Sequence, residues 1–237
     1  MFNKEKKVQK KTSLPRSSAG LKNAANTLYS NIRFMESDHE FKAVAVTSSV
    51  PNEGKSTISM FLAQAAANTG MRTLLIEGDM RRPTLSKFLT MRPGRGIHAL
   101  LRGEATPAEV IQKTSVLNLY FLDSEVNIID PLRIVSSRKF KALIDEFKKQ
   151  FDFIVIDTPP ASNFVDSSVI ANVADGVVIV EGSNLVKRET LQKTYEQLSI
   201  SGANVLGICE NYSEKTDDEY YYNYYNAQTG KKIEKKK

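Results

Sequence analysis

The stretch SVPNEGKST, residues 49–57, decides the fold of this chain. It follows the phosphate-binding pattern G-x-x-x-x-G-K-[ST], with Ser49 in place of the first glycine. The apolar run at residues 41–47 precedes it, and residues 58–65 place apolar side chains at helical spacing after it. A strand, this loop and a helix, in that order, predict a P-loop protein that binds ATP with Mg²⁺.

Each residue type in the loop suits an anionic ligand. Backbone N–H groups of the loop and of the following helix face the phosphates. Gly54 lets the backbone come close, Lys55 brings a positive charge to the terminal phosphates, and the Ser56 hydroxyl is a ligand for Mg²⁺. The candidate nucleotide-binding residues of the loop are Asn52, Glu53, Gly54, Lys55, Ser56 and Thr57.

The rest of the chain alternates apolar runs with amphipathic segments. Strands are predicted at residues 73–76, 117–122, 153–156, 177–180 and 205–209. Helices are predicted at 21–36, 137–149, 164–174 and 185–200, with two short ones inside 97–113, broken at Gly103 and restarted at Thr106-Pro107. This alternation is typical of the α/β class: a P-loop NTPase whose mostly parallel sheet has helices on both faces.

Charge and composition divide the chain into three parts. Residues 1–16 carry six Lys or Arg and one Glu, and residues 230–237 carry five Lys and one Glu. We therefore predict a basic mobile tail at 1–20, an ATP-binding domain at 21–211, and a tyrosine-rich basic tail at 212–237. Such ends either stay solvated or attract anionic lipid, and no base-reading motif points to nucleic acid.

Cysteine usage and hydropathy point to the cytoplasm. Cys209 is the single cysteine, so no intramolecular disulfide can form, as is usual in a reducing compartment. No apolar run approaches the roughly 20 residues that span a bilayer. His39 and His98 have no second His or Cys at metal-binding spacing, so both are expected to be surface residues.

Two apolar runs end in carboxylates. The run at 154–156 ends in Asp157, the arrangement of a Walker B strand whose acid holds Mg²⁺ directly or through water. The run at 74–76 ends in Glu77 and, two residues on, Asp79. Because ligands bind at the carboxyl edge of a parallel sheet, these acids are expected to lie beside the loop and to face one ligand.

The segment EGDMRRP, residues 77–83, resembles the Walker A′ motif of bacterial tyrosine kinases. The loop residues 51–57, the strand end IDTPP at 156–160 and a C-terminal tyrosine cluster agree with that family. The chain is similar to its free-standing cytosolic subunits of the CpsD/CapB type, which act in capsular or exopolysaccharide synthesis. The resemblance covers roughly residues 20–225 and implies an ATP-dependent protein-tyrosine kinase.

The resemblance also implies roles for single residues. Lys55, Glu77, Asp79 and Asp157 would be catalytic, with Glu77 at the position of the base. Ser56, Asp79 and Asp157 would hold Mg²⁺, Asn211 would lie near the adenine, and Asp166 resembles the acid that follows Walker B. The phosphate acceptors would be Tyr220, Tyr221, Tyr222, Tyr224 and Tyr225, with Tyr212 also in the tail.

The family further implies partners. These are a transmembrane polysaccharide co-polymerase or adaptor, whose cytoplasmic tail recruits the kinase to the inner face of the membrane, and an opposing tyrosine phosphatase. Self-association is also expected, although the family's Glu-x-x-Arg-x-x-Arg signature is replaced by Asn23, Asn26 and Tyr29. The family's Pro-Asn-Pro segment is reduced to DPLRIV at residues 130–135.

Two further departures leave alternatives open. Glu77 replaces the family's Asp, and misplacing a reactive oxygen by about 1 Å can cost ~10²-fold in rate. A non-catalytic ATP-binding regulatory subunit of the export machinery is therefore one alternative. A partitioning-type ATPase is another, although Val50 stands where those proteins carry a lysine. Asn52 replaces a loop glycine, and Asn tolerates a positive φ.

Overall fold

The computed structural model describes residues 19–36 and 40–213. The predicted acceptors Tyr220, Tyr221, Tyr222, Tyr224 and Tyr225 lie outside the described residues, as does His39. The same holds for residues 1–18 and 214–237 of the two predicted tails, so the proposed domain boundaries stay predictions.

A sheet in the order β3-β4-β2-β5-β1-β6-β7 forms the centre of the described protein. Its strands are β1 (Ala43–Ser48), β2 (Thr73–Glu77), β3 (Gln112–Lys113), β4 (Leu119–Leu122), β5 (Phe153–Asp157), β6 (Gly176–Gly182) and β7 (Val205–Asn211). The helices are α1 (Ala19–Phe34), α2 (Lys55–Asn68), α3 (Leu85–Phe88), α4 (Ile97–Arg102), α5 (Pro107–Val110), α6 (Pro131–Val135), α7 (Arg138–Gln150), α8 (Asp166–Val173) and α9 (Arg188–Ile200).

Parallel pairing brings the carboxyl ends of the strands to one edge. All pairs are parallel except β3 with β4, so the mostly parallel sheet is confirmed. Asp157 lies opposite Val46 of β1 on one side and opposite Glu77 of β2 on the other. The phosphate-binding loop, which follows β1, therefore begins beside both predicted acidic strand ends.

Helices cover both faces of the sheet, as predicted. One apolar cluster joins α1 and α2 to side chains such as Val44 and Val46 of β1. The other joins α7, α8 and α9 to Ala43 and Ala45 of the same strand. Alternate residues of one strand thus enter opposite clusters, because side chains in a strand point to opposite faces. Such burial is the main stabilising contribution to the fold.

Tyr29 of α1 packs into the apolar cluster between α1, α2 and the sheet. This side chain is buried, and its ring meets Phe153 edge-to-face with centroids 5.4 Å apart. Asn23 and Asn26 are exposed on the same helix. Tyr29 occupies the last position of the missing oligomerisation signature, and its burial leaves no side chain there for a neighbouring subunit.

The predicted helical segment at 97–113 is wrong at its end. A capping box between Thr106 and Glu109 starts α5, but Ile111 adopts an extended conformation and the helix stops at Val110. Gln112–Lys113 form β3, an antiparallel edge strand on β4. Pairing with β4 satisfies backbone groups that a longer helix would have bonded internally.

Two one-turn helices, α3 and α6, were not predicted, because four or five residues are too few to show a helical period. Asp130 caps α6 by accepting a hydrogen bond of 3.1 Å from the Arg133 N–H, and Pro131 follows at the first helical position. Over the described ranges, no helix is both long and apolar enough to cross a membrane.

Candidate active site

The phosphate-binding loop relies on two residues in the left-handed region. Gly54 has φ 89° and precedes the first residue of α2. A Cβ at Gly54 would lie 2.1 Å from Nδ2 of Asn211, so the Asn211 side chain would have to move, and the positive φ by itself favours glycine. Asn52 has φ 70°, which confirms the prediction that this residue accepts a positive φ. Thr57 lies half-buried in the first turn of α2.

Lys55 lies at the centre of the site. Its Nζ is 3.1 Å from Oδ2 of Asp79 and 3.2 Å from Oδ2 of Asp157. Burial disfavours the charged ammonium group, but the carboxylates of Asp157, Asp79 and Glu77 outweigh burial and raise the pKa of Lys55. The Walker A and Walker B residues and the acid after β2 therefore form one connected charge cluster.

Asp157 is fully buried and has a hydrogen bond at each oxygen. The Ser56 hydroxyl donates to Oδ2 at 2.6 Å, and the Ser59 hydroxyl donates to Oδ1 at 2.9 Å. Burial raises the pKa of Asp157, and the Lys55 ammonium opposes that shift. These contacts fix the orientation of the carboxylate toward the loop.

The donor set fits Mg²⁺. The Ser56 hydroxyl and the carboxylates of Asp79 and Asp157 meet around Lys55, and hard oxygen donors are what Mg²⁺ prefers. In the described part of the chain, no three His, Cys, Asp or Glu side chains form a metal-binding group by themselves. A site of this kind needs phosphate oxygens and water as further ligands, as is usual for Mg²⁺ at nucleotides.

Glu77 is fully buried and holds the backbone of the segment that follows it. Its Oε2 accepts hydrogen bonds from the N–H groups of Thr84 (2.7 Å) and Leu85 (2.8 Å). Its Oε1 accepts a bond of 3.3 Å from the Asp79 N–H. Burial raises the pKa of Glu77 to about 8, the Asp157 charge adds to the shift, and the two bonds to Oε2 oppose it.

Arg81 joins the loop after β2 to the start of α8. Its guanidinium makes hydrogen bonds of 3.1–3.2 Å to both carboxylate oxygens of Asp166. It also lies over the ring of Phe164, 4.4 Å from the centroid. Asp166, the acid that follows the Walker B segment, is buried, and its carboxylate contacts Arg81.

The Glu53 side chain points into the protein, toward backbone N–H groups, and not toward the position of a ligand. The buried carboxylate accepts hydrogen bonds from the Val50 N–H at 2.7 Å and the Gly182 N–H at 3.2 Å. The side chain of Asn211, at the end of β7, donates to the Glu53 carbonyl at 2.9 Å. Glu53 and Asn211, two of the predicted nucleotide-binding residues, therefore stabilise the conformation of the loop, and the Asn211 side chain contacts the loop backbone.

Comparison with known proteins agrees with these motifs. A family described as AAA domain matches residues 41–200. The tyrosine-protein kinase CpsD of Streptococcus agalactiae serotype III (strain NEM316) is 36% identical over 187 residues, covering 78% of this chain and 80% of that protein. The putative tyrosine-protein kinase CapB of Staphylococcus aureus is 32% identical over 196 residues, covering 83% and 86%. The chain belongs to the bacterial tyrosine-kinase family.

Solved structures show the same relationship. The crystal structure of the chimerical protein CapA2B2 matches with a TM-score of 0.77 and 31% identity, covering 81% of this chain and 84% of that one. Nucleotide binding at the P-loop of this tyrosine-kinase family member follows from its fold and family. Membership of the family decides against the partitioning-type ATPase that the sequence left open.

The structure of this tyrosine kinase brings most of the predicted site together. Lys55, Ser56, Asp79 and Asp157 form direct contacts, and Glu77 is paired with Asp157 in register. Sequence reasoning missed Ser59, although its position one helical turn after Lys55 is a usable signal. It also missed the inward turn of Glu53, for which the loop pattern carries no signal.

Proposed function

We propose that this chain is an ATP-dependent protein-tyrosine kinase that phosphorylates its own C-terminal tyrosine cluster and regulates capsular or exopolysaccharide synthesis. The observation that carries the proposal is the position of Lys55 Nζ, within 3.2 Å of both Asp79 and Asp157 at the end of the phosphate-binding loop. The relatives support the proposal, since one is named tyrosine-protein kinase CpsD and another putative tyrosine-protein kinase CapB.

The reaction would be an in-line phosphoryl transfer. A tyrosine hydroxyl oxygen forms a bond to the γ-phosphorus of ATP while the bond to the β–γ bridging oxygen breaks, and ADP leaves. Such reactions depend mainly on positioning and charge neutralisation. Lys55 supplies positive charge to the phosphates, while Ser56, Asp79 and Asp157 would hold Mg²⁺, which neutralises phosphate charge when bound.

Glu77 is the proposed acceptor of the tyrosine proton. With a pKa of about 8, Glu77 is mostly protonated near neutral pH, so its ionised fraction would act as the base, and a raised pKa makes that ionised form a stronger base. Both N–H groups of Thr84 and Leu85 hold Oε2 of Glu77, so contact of this oxygen with an acceptor hydroxyl would compete with these hydrogen bonds. We infer that repositioning of this side chain accompanies substrate binding.

A specific observation favours a second candidate, a non-catalytic ATP-binding subunit. In that case Glu77 would serve only to anchor α3, since both of its oxygens already accept backbone hydrogen bonds. Glu77→Asp separates the two functions, because the shorter side chain cannot keep both contacts at Oε2. Transfer that appears only in Glu77→Asp would identify the chain as a regulatory subunit.

The proposed partners follow from the family. They are a transmembrane adaptor whose cytoplasmic tail recruits the kinase to the inner face of the membrane, an opposing tyrosine phosphatase, and further copies of the chain. Transfer between neighbouring copies would make the initial rate per molecule rise with protein concentration. A rate per molecule that stays constant across the concentrations at which the copies associate would contradict transfer between copies.

The direct experiment measures transfer from [γ-³²P]ATP with Mg²⁺, with and without a candidate adaptor tail. We expect label on tyrosine in the unaltered chain and none in Lys55→Met. Replacement of all five acceptors, Tyr220, Tyr221, Tyr222, Tyr224 and Tyr225, by Phe should remove the label while ATP binding is kept. Full label in that variant would contradict the tail as acceptor.

A further inference from the structure

The Lys55 ammonium group lies among the three oxygens that are proposed to hold Mg²⁺. Its Nζ is 3.1 Å from Oγ of Ser56, 3.1 Å from Oδ2 of Asp79 and 3.2 Å from Oδ2 of Asp157. All three distances lie in the range of hydrogen bonds donated by nitrogen to oxygen. A positive charge of the chain itself therefore contacts the whole proposed donor set.

The two carboxylates keep their orientation through contacts that do not involve Lys55. Oδ1 of Asp79 accepts a hydrogen bond of 3.0 Å from the Arg82 N–H, and Oδ1 of Asp157 accepts one of 2.9 Å from the Ser59 hydroxyl. In each carboxylate, one oxygen is thus held by the protein while the other contacts Lys55. The donor set can therefore keep its geometry when one cation replaces another.

Burial makes a counter-ion necessary at this position. The exposed fraction of the side chain is 12% for Lys55, 6% for Asp79 and 0% for Asp157. Buried carboxylates without a cation are strongly unfavourable, because little water reaches them. The Lys55 charge thus stabilises the nucleotide-free protein. A metal ion at the same oxygens has to replace the ammonium group, since two positive charges in such close contact repel each other.

We propose that the Lys55 ammonium group excludes divalent cations from these three oxygens until the phosphates of a nucleotide draw it away. The N–H groups at the start of α2 bind the phosphates, and the phosphate oxygens give Lys55 a new anionic partner. A lysine has a flexible four-carbon stem, so its ammonium group moves while the backbone of α2 stays in place. Lys55 therefore determines the order of binding, in which the metal ion enters with the nucleotide or after it.

Cation binding to the nucleotide-free protein tests the competition. The inference rests on the proposed function, since it concerns the proposed Mg²⁺ ligands, but it does not require phosphoryl transfer. Nucleotide is left out because its phosphates bind divalent cations themselves. The probe is Mn²⁺ alone, which prefers oxygen ligands as Mg²⁺ does and whose free concentration is measured by electron paramagnetic resonance.

Removal of the lysine charge should expose the oxygens to the metal ion. We expect Lys55→Met to bind Mn²⁺ about tenfold or more tightly than the unaltered chain does. Asp79→Asn added to Lys55→Met should remove this gain, because the gain depends on two charged carboxylates. Lys55→Arg keeps a positive charge and should bind Mn²⁺ as weakly as the unaltered chain. Mn²⁺ should also raise the unfolding temperature of Lys55→Met but not that of the unaltered chain.

Lys148→Met is the matched control, because Lys148 forms another partly buried ion pair. Its Nζ lies 2.7 Å from Oδ1 of Asp175, whose Oδ2 accepts a hydrogen bond of 2.7 Å from the Ala43 N–H. This ion pair contains one carboxylate, whereas Lys55 contacts two carboxylates and a hydroxyl. Lys148→Met should therefore leave the affinity for Mn²⁺ unchanged.

Equally tight binding of Mn²⁺ to the unaltered chain and to Lys55→Met would overturn the proposal. Weak binding to a Lys55→Met protein whose fold is verified by circular dichroism would do the same. Should Lys55→Met not fold, the chain with Lys55 intact still decides. Tight Mn²⁺ binding that Asp79→Asn removes would contradict the competition, and weak binding that Asp79→Asn leaves unchanged would support it.

Transfer from [γ-³²P]ATP separates this proposal from the proposed function. Transfer by the unaltered chain, together with tight Mn²⁺ binding in its nucleotide-free form, would contradict the competition and keep the kinase. The expected pattern of Mn²⁺ binding without any transfer by the unaltered chain would keep the competition and contradict the kinase.

Discussion

The Ser59 hydroxyl donates a 2.9 Å hydrogen bond to Oδ1 of Asp157, which connects α2 to the buried end of β5. The same hydroxyl also lies 2.9 Å from the Lys55 carbonyl, one helical turn earlier. Ser59 is completely buried, so no water can replace the contact if it is lost. The orientation of the central carboxylate therefore depends on a residue outside the loop motif.

Ser59→Ala should destabilise the protein by about 1–3 kcal/mol and lower the transfer rate, because one oxygen of a buried carboxylate loses its donor. Ser199→Ala is a matched control, since Ser199 makes the same bond to the carbonyl one turn earlier but is exposed. That control should change the free energy of unfolding by less than about 0.5 kcal/mol. Denaturant unfolding measures both, and equal effects would contradict the role of Ser59.

Gly54→Ala should weaken nucleotide binding strongly, whereas Gly70→Ala should leave it intact. Both glycines have a positive φ, 89° and 95°, so both substitutions carry a similar conformational strain. At Gly54 the new Cβ would also collide with the Asn211 side chain, while at Gly70 it meets nothing within 4 Å.

Calorimetric titration with ADP checks this difference, and we expect Gly54→Ala to lose at least about tenfold in affinity. Thermal unfolding of both variants shows whether their stability falls equally, as the shared strain predicts. Equal affinity of the two variants would show that the close approach between Gly54 and Asn211 does not shape the site.

Burial of Glu77 should make stability fall as pH rises. The folded-state pKa of about 8 exceeds the ordinary value of 4.5, so the folded protein holds a proton that the unfolded chain has released. Between those two pH values the free energy of unfolding should decrease with pH, by up to about 1.4 kcal/mol per pH unit for one proton.

Glu77→Gln cannot titrate, so its stability should vary less with pH over the same window. Urea unfolding of the nucleotide-free protein at pH 5, 6.5 and 8 measures the difference, which includes the effect of the Glu77 charge on its neighbour Asp157. Identical pH dependence of the two proteins would show that Glu77 is ionised throughout this range.

The contact between Arg81 and Asp166 should be energetically coupled and should affect transfer. We expect a coupling of about 1 kcal/mol in a double-mutant cycle with Arg81→Gln and Asp166→Asn, since Asp166 is buried while Arg81 is partly exposed. Either single change should slow transfer, because Arg81 fixes the loop that carries Asp79. Additive effects of the two changes on stability would contradict the coupling.

Much of the architecture could be predicted because its signals are local. The loop pattern at residues 49–57, the apolar runs before Glu77 and Asp157, and the helical spacing of α7 each depend on residues close in sequence. The end of α5 could not be predicted in this way. Gln112–Lys113 form a strand because β4 is beside them, and β4 contributes the pairing that the segment alone lacks.

The sequence by itself determined that this chain is a P-loop protein with acids at two strand ends, because phosphate binding needs few residue types at fixed spacing. Only the tertiary structure decided what those acids contact. Parallel pairing of β2 with β5 places Glu77 opposite Asp157. The fold also brings the N–H groups of Thr84 and Leu85, at the start of α3, to the Glu77 carboxylate. Such contacts depend on the register between distant strands, a long-range property that no local pattern specifies.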